Sequence, residues 1–132
     1  MSLEKLKLSK GLVATMTGAG YLSPKEVQLK TLSRIIGGQD IIAVGPEGCG
    51  KTTAYILGTL MKVKYETDEA PQVLILVPDK EHGDRVLGSF NVLGKNRNLR
   101  ITLLTGHGGM ESEINDMMEG TVWLSNLFHL LV

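Results

Sequence analysis

The sequence DIIAVGPEGCGKT occupies residues 40–52, and residues 45–52 within it match the pattern G-x4-G-K-[ST]. The short apolar run at residues 40–44 is bounded by turn residues and predicts a buried strand. Residues from about 51 to 61 predict a helix. A glycine-rich loop that follows a strand and opens a helix is the context in which this pattern binds phosphate. The segment therefore predicts an α/β fold of the P-loop nucleotide-binding type.

The chemistry of such a loop needs these residue types at these positions. Glycines let the backbone curl so that its N–H groups face phosphate oxygens, and the helix N-terminus adds a favourable dipole. Lys51 is expected to reach the β- and γ-phosphates of ATP, and the Thr52 hydroxyl is expected to ligate Mg²⁺, which makes both residues candidates for catalytic roles. The competing interpretation is an ordinary glycine-rich turn. The loop residues predicted to contact the nucleotide are Gly45, Pro46, Glu47, Gly48, Cys49, Gly50, Lys51, Thr52 and Thr53.

The remaining sequence alternates between helical patterns and apolar runs. Short apolar runs at residues 73–77, 100–104 and 121–124 predict further strands. Continuous apolar strands separated by helices indicate a parallel sheet that helices cover on both faces. Ser23, followed by Pro24, predicts the N-cap of a helix that extends to about residue 37. Further helices are predicted at residues 8–18, 80–93, 111–118 and 126–132.

Composition narrows the class of protein. The chain has 132 residues with a formal net charge of zero, 42% hydrophobic and 21% charged, which suits one folded domain and disfavours disorder. No apolar run approaches the roughly 18 residues that a membrane span requires, so no membrane contact is expected. A single cysteine excludes an internal disulfide and favours a reducing intracellular compartment, the cytoplasm or the nucleus. The balanced charge disfavours the broad basic surface of a duplex DNA binder.

Around the phosphate loop, the sequence resembles the N-terminal RecA-like lobe of DEAD-box RNA helicases. Residues 20–28, GYLSPKEVQ, look like the Q motif of that family, whose glutamine recognises adenine. The resemblance gives this role to Gln28, whose amide can both donate and accept hydrogen bonds. Residues 45–52 correspond to motif I, and residues 78–81, PDKE, stand where the family has Pro-Thr-Arg-Glu in motif Ia. The RNA contacts implied by the resemblance are Pro78, Lys80, Gly108 and Gly109.

The resemblance also implies a function. In the family, ATP closes a second RecA-like lobe onto the first over single-stranded RNA. The chain is therefore expected to be the ATP-binding lobe of an ATP-dependent RNA helicase, with ATP and Mg²⁺ as cofactors and with single-stranded RNA and a second RecA-like lobe as partners. Residues 1–132 end before the family's motif II, Asp-Glu-Ala-Asp. The lobe is thus expected to be incomplete at its C-terminal end and not to hydrolyse ATP alone.

Several positions depart from the family pattern. Lys25 replaces the usual Thr or Ser after the Q-motif proline, and Leu3 stands where an adenine-stacking aromatic is usual. In motif Ia, Asp79 replaces a threonine that contacts RNA phosphates, and its charge would repel a phosphate. These differences indicate a divergent member. They leave open a non-catalytic nucleotide-binding or scaffolding module of an RNA-processing complex, with RNA-granule proteins as partners, such as the helicase modules of Tudor-domain proteins in the piRNA pathway.

Asp79 is also compatible with a different class of protein. It follows an apolar strand, as a Walker B aspartate does, and in that role it would help to hold Mg²⁺. The chain would then be a small P-loop kinase or ATPase. The competing interpretation of Asp79 is an exposed loop residue.

Overall fold

A computed structural model describes residues 2–63, 72–104, 110–119 and 122–126, with the backbone alone at residues 110, 116–119 and 122–126. The contacts divide the chain into two compact units. The described strands all belong to the second unit, whereas both units contain helices. The first unit comprises Met1–Lys62 with Val92–Lys95, and the second comprises Val63–Asn91 with Asn96–Val132.

The first unit is built from helices. Two of them agree closely with the helices predicted at residues 8–18 and 51–61. A short 3₁₀ turn, which the sequence pattern does not indicate, precedes them. The elements are the 3₁₀ turn Leu3–Leu6, helix α1 at Lys10–Gly18, helix α2 at Glu26–Ile36 and helix α3 at Lys51–Lys62.

Apolar side chains from these helices form the core of the first unit. Leu12 of α1, Leu32 of α2 and Leu57 of α3 are all almost fully buried. The first of these helices has a conventional start, because the Ser9 hydroxyl accepts a hydrogen bond from the Leu12 N–H at 3.4 Å. Helices α2 and α3 pack directly against each other, which brings the start of α2 towards the residues that precede α3.

Gly58 of α3 lies against Ile35 of α2 with no room for a side chain. A Cβ atom at Gly58 would be 2.4 Å from Ile35 Cγ2 and 3.2 Å from Ile35 Cβ, and a β-branched side chain has little rotamer freedom with which to move away. We therefore expect Gly58→Ala to lower the free energy of unfolding by about 1–3 kcal/mol, although alanine favours helices. Urea denaturation of the variant and the wild type measures the effect.

Two controls isolate the contact at Gly58. Gly11→Ala adds a methyl group to α1, where nothing lies within 4 Å of it, and should be neutral or slightly stabilising. The double variant Gly58→Ala with Ile35→Ala should recover part of the lost stability in a double-mutant cycle. A Gly58→Ala variant as stable as the wild type would show that the two helices do not need a glycine at this position.

The segment at residues 40–44 differs from its prediction. The apolar run predicts a buried strand, but the structure has no strand here, and Ile42 and Val44 are 93% and 94% exposed. A strand is stabilised by hydrogen bonds to a neighbouring strand, and the described strands pair only with one another. The prediction of a buried strand is therefore wrong for this segment, because apolar composition does not by itself supply a partner strand.

The start of α2 also differs from its prediction. Ser23 is the predicted N-cap, but α2 begins at Glu26 and its N-cap is Lys25. The Gln28 side chain accepts a hydrogen bond from the Lys25 N–H at 2.9 Å, which is the reaching-back half of a capping box. The predicted helix is confirmed, but the capping group is the Gln28 amide and not the Ser23 hydroxyl.

The second unit contains a three-stranded parallel sheet. In its central strand, Val122 lies beside Val73 on one side and beside Ile101 on the other. This arrangement confirms the parallel sheet that the apolar runs predict. The elements are β1 at Val73–Val77, α4 at Lys80–Leu93, β2 at Ile101–Leu104, α5 at Met110–Glu119 and β3 at Val122–Asn126, and the strand order is β1–β3–β2.

Helix α4 packs on one face of the sheet. A Cβ atom at Gly83 would lie 2.9 Å from Leu103 Cδ1 and 3.4 Å from Val77 Cγ2, and the register places these two residues on the same face. The opposite face of β1 is more open, because Leu74 and Leu76 are each 51% exposed. The predicted parallel sheet is confirmed, and within the described residues this face of β1 is half-exposed.

Some predicted elements fall outside the described residues. These are residue 121, where a strand is predicted to begin, and most of the helix predicted at residues 126–132. Asn126 itself ends β3, so the predicted helix does not begin there. None of the helices in the described ranges combines the length and the apolar character that a membrane span needs.

Candidate nucleotide-binding site

The predicted phosphate loop connects residues 40–44 to the N-terminus of α3, within the first unit. Gly48 and Gly50 have φ angles of +80° and +99°, a region that costs a residue with a Cβ atom about 1–2 kcal/mol. A Cβ atom at Gly45 would lie 2.9 Å from the sulfur of Cys49. The glycine pattern seen in the sequence is therefore required by the backbone and the packing of the loop.

Lys51 ties the beginning of the loop to its end. Its Nζ donates hydrogen bonds to the carbonyl oxygen of Gly45 and, at 3.3 Å, to that of Pro46. An ammonium group carries three protons, so one donor remains for a phosphate oxygen. Lys51 can thus hold the shape of the loop and contact a bound phosphate at the same time.

Backbone amides at the start of α3 supply further hydrogen-bond donors. The Cys49 N–H donates to the Pro46 carbonyl at 3.3 Å and closes a turn inside the loop. The first N–H groups of a helix have no partner within the helix, and such groups bind anions well. Within the described ranges, the amides of the loop and first turn that have no acceptor include those of Gly48, Gly50, Lys51, Thr52 and Thr53.

Gln28 connects α2 to the phosphate loop. Its side chain is 3% exposed; its oxygen accepts from the Lys25 N–H at 2.9 Å, and its nitrogen donates to the Gly50 carbonyl at 3.5 Å. A side-chain amide has two donor hydrogens and two acceptor lone pairs, so one of each remains for a purine edge. The structure thus places Gln28 beside the loop, and its role in adenine recognition stays a prediction.

Lys25 is a loop contact that sequence reasoning missed. Its Nζ donates a hydrogen bond to the Gly48 carbonyl oxygen at 2.7 Å. The sequence shows only that a lysine stands three residues before Gln28. No periodicity or motif indicates that its side chain would reach a carbonyl group 23 residues away.

Thr52, the predicted Mg²⁺ ligand, lies in the first turn of α3 and is exposed. Its side chain forms a hydrogen bond with Tyr55, which sequence reasoning also missed, although a spacing of three residues places two side chains together on a helix. Burial raises the pKa of Tyr55, and the bond with Thr52 opposes this shift only in part. The phenol is therefore neutral at physiological pH and can orient the Thr52 hydroxyl without adding charge.

A groove between α2 and residues 40–46 reaches the phosphate loop, whose Gly45, Pro46 and Cys49 line part of it. Neither Gln28 nor Lys51 lines it. Its rim on α2 carries Glu26 and Lys30, which pair at 2.6 Å on an exposed surface. The hydrogen bond from Lys30 lowers the pKa of Glu26, and an exposed pair of this kind contributes little to stability.

Asp79 caps helix α4. Its carboxylate oxygen accepts a hydrogen bond from the His82 N–H at 2.7 Å, as an N-cap residue does. The His82 ring nitrogen in turn lies 3.0 Å from Arg85 Nη2. The predicted exposure of Asp79 is confirmed. Its capping role was missed, although an aspartate directly before a helix is a recognised N-cap signal.

The other predicted RNA contacts have different outcomes. Pro78 and Lys80 flank Asp79 and are exposed, and Lys80 Nζ pairs with the Asp84 carboxylate at 3.3 Å. Gly108 and Gly109 lie outside the described residues. Contact with RNA at these positions therefore stays a prediction. In the part of the chain that the structure describes, no group of three His, Cys, Asp or Glu side chains is arranged to hold a metal ion.

The DEAD/DEAH box helicase family matches residues 25–129. Because this range is most of the chain, the chain belongs to that family. The ATP-dependent RNA helicase DBP10 of Eremothecium gossypii is 31% identical over 118 residues, which is 89% of this chain. The ATP-dependent RNA helicase dhh1 of Aspergillus clavatus is 27% identical over 132 residues. The chain spans only 12% and 25% of the lengths of these two relatives.

Solved structures identify the fold. A DEAD box protein from the hyperthermophile Methanococcus jannaschii superposes with a TM-score of 0.91 at 21% identity, over 99% of this chain and 36% of that chain. A variant of S. cerevisiae Dbp5 bound to RNA and ADP–BeF₃ gives a TM-score of 0.85 at 23% identity, over 98% and 33% of the two chains. These similarities confirm the predicted RecA-like α/β fold.

Proposed function

We propose that this chain binds ATP together with Mg²⁺ as the first RecA-like lobe of an ATP-dependent RNA helicase. The observation that carries the proposal is the geometry of the phosphate loop. Lys51 bridges the loop through the Gly45 and Pro46 carbonyl groups and keeps one donor. Unpaired amides and a helix N-terminus surround the same loop. Such a site suits a polyphosphate.

The residues present also fit Mg²⁺ bound with the nucleotide. Mg²⁺ prefers oxygen ligands and usually combines one or two protein groups with phosphates and water. Thr52 offers an exposed hydroxyl at the first turn of α3, three residues before Tyr55. When bound, the ion would neutralise charge on the phosphates. Lys51 and the loop amides would meanwhile hold the phosphate oxygens in place.

Selectivity for adenine is assigned to Gln28. Its buried amide is held at a fixed position by the Lys25 amide and the Gly50 carbonyl. A fixed group that both donates and accepts can match the adenine edge, which presents a donor beside an acceptor. Guanine presents a different pattern, so its binding would leave part of this buried amide unpaired.

Nucleotide titrations test the proposed function. We expect the chain to bind ATP in preference to GTP, and more tightly with Mg²⁺ than without it. Gln28→Ala should reduce the ratio of ATP to GTP affinity by about threefold to tenfold, because one hydrogen bond contributes about 0.5–1.5 kcal/mol. Isothermal titration calorimetry measures both affinities.

The control for this variant is Gln39→Ala, which removes an exposed glutamine from the same unit. It should leave the ATP to GTP ratio unchanged. Thermal melting of the variants separates lost recognition from lost folding. An unchanged ratio in Gln28→Ala would overturn the assignment of adenine recognition, and a wild-type chain that binds neither nucleotide would overturn the proposed function.

RNA contact at the start of α4 is proposed to be weak. Asp79 already occupies the His82 amide at 2.7 Å, so a phosphate approaching this helix N-terminus meets a carboxylate instead of a free donor. This observation favours the second candidate function, a nucleotide-binding module with little RNA contact of its own. RNA binding then depends on groups elsewhere in the protein.

Asp79→Asn is therefore expected to strengthen binding of single-stranded RNA. Asparagine is also a good N-cap, so the variant removes the charge and keeps the helix start. We expect the affinity for RNA to rise about twofold to fivefold at low salt, which is the effect of removing one exposed charge near the RNA. Fluorescence anisotropy with a labelled oligouridine measures it. Glu81→Gln removes an equal charge from the same helical turn and serves as the control. An equal gain in RNA affinity in this control would show that the effect comes from net charge and not from Asp79 at the helix start.

A further inference from the structure

We propose that Lys25 is a latch for the phosphate loop, a residue that positions the loop for nucleotide phosphates without contacting them. The inference rests on the proposed function, because it assigns a role in phosphate binding. Lys25 occupies the position at which the Q motif of DEAD-box helicases usually has Thr or Ser. The role therefore belongs to this chain and does not follow from the motif.

Lys25 is held at three points, two on its side chain and one on its backbone. Its Nζ donates to the Gly48 carbonyl oxygen at 2.7 Å. Its aliphatic stem lies along Gly50, where a Cβ atom would be 3.0 Å from Lys25 Cδ and 3.4 Å from Lys25 Cβ. Its own backbone N–H donates to Gln28 Oε1 at 2.9 Å. The residue is thus fixed at its base, along its stem and at its charged end.

The carbonyl group that Lys25 holds controls an amide of the loop. In a planar trans peptide, the C=O and the following N–H point in opposite directions. A fixed Gly48 carbonyl therefore fixes the direction of the Cys49 N–H, which donates to the Pro46 carbonyl at 3.3 Å. Lys51 Nζ donates to that same carbonyl at 3.3 Å. The two lysines thus hold one turn of the loop through different peptide groups.

The charge of Lys25 is not neutralised by a carboxylate in the described part of the chain. Its neighbour Glu26 pairs instead with Lys30, at 2.6 Å. An unneutralised ammonium group beside the loop attracts a polyphosphate. Its exposure to water limits that attraction, so the main effect expected of Lys25 is on the shape of the loop.

Lys25→Met tests the latch, because methionine keeps an unbranched stem and removes the ammonium group. We expect this variant to bind ATP–Mg²⁺ and inorganic tripolyphosphate about fivefold to tenfold more weakly than the wild type, by the same factor for both ligands. Lys25→Arg should restore part of the affinity. The matched control is Lys30→Met, which makes the same change on an exposed position of α2.

Cys49 provides a second measurement, independent of nucleotide. It is the single cysteine of the chain and lies inside the loop, so a thiol reagent such as dithionitrobenzoate reports on this loop alone. Without nucleotide, Lys25→Met should react several times faster than the wild type, because the turn at Cys49 is released. Lys30→Met should react at the wild-type rate. Circular dichroism melting verifies that both variants are folded.

The outcomes separate this inference from the proposed function. If the wild type binds no nucleotide, the proposed function fails, and the reactivity of Cys49 still decides whether Lys25 holds the loop. If the wild type binds ATP and Lys25→Met matches Lys30→Met in both affinity and reactivity, the latch is overturned. A loss of ATP affinity without a loss of tripolyphosphate affinity would also overturn it, because Lys25 would then act on the nucleoside.

Discussion

Lys51→Ala is expected to reduce the affinity of the chain for ATP by at least about 100-fold, which corresponds to about 2.7 kcal/mol. The variant loses two contributions together. It loses the charged hydrogen bond to a phosphate, a class of bond that contributes about 1.5–3 kcal/mol. It also loses the hydrogen bonds from Nζ to the Gly45 and Pro46 carbonyl groups, which join the end of the loop to its beginning.

Lys62→Ala is the matched control for this variant. Lys62 is the last residue of α3 and is exposed, so the control removes the same charge from the same helix at its opposite end. It should change ATP affinity less than twofold. Titration with a fluorescent ATP analogue gives the affinities, and thermal melting verifies that the core of the first unit is intact. A Lys51→Ala variant that binds within threefold of the wild type would disprove the phosphate-loop assignment.

Gly50→Ala is expected to weaken both nucleotide binding and folding. The φ angle of +99° is unfavourable for alanine, and the new Cβ would lie 2.8 Å from Gln28 Nε2 and 3.0 Å from Lys25 Cδ. The variant therefore strains the loop and displaces both side chains that α2 places against it. We expect ATP affinity to fall at least about tenfold and the free energy of unfolding to fall by about 1–3 kcal/mol.

Gly48→Ala separates the two causes of this loss. Gly48 also has a positive φ, +80°, but a Cβ atom there would meet nothing within 4 Å. The Gly48→Ala variant should therefore show the cost of the backbone conformation alone. We expect it to lose less ATP affinity and less free energy of unfolding than Gly50→Ala. Equal losses in the two variants would show that the contacts with Gln28 and Lys25 contribute nothing measurable. Urea denaturation and calorimetric titration decide between these outcomes.

Local signals accounted for most of the helices. The helix predicted at residues 80–93 coincides with α4 at Lys80–Leu93. Its start follows a proline and an aspartate, which are signals that stand in the local sequence. The helix predicted at residues 51–61 follows the glycine-rich loop directly, which is also a local signal. Boundaries of this type depend on neighbours in the sequence, so they can be predicted without knowing what packs against them.

The errors arose where the local sequence fits more than one arrangement. Residues 40–44 have the composition of a buried strand, yet Ile42 and Val44 are exposed. Ser23 has the chemistry of an N-cap, yet Gln28 supplies the capping group. In each case the local residues do not indicate which contact forms in the folded chain.

The chemistry of the site follows from the residue pattern of the loop. The spacing of glycines, Lys51 and Thr52 defines a phosphate loop, because each position needs a particular backbone freedom or donor group. The other side chains that contact that loop depend on how the chain folds. Lys25 and Gln28 reach it because α2 packs against α3. Contacts between residues more than twenty positions apart depend on how helices pack, and helix packing has no local signal in the sequence.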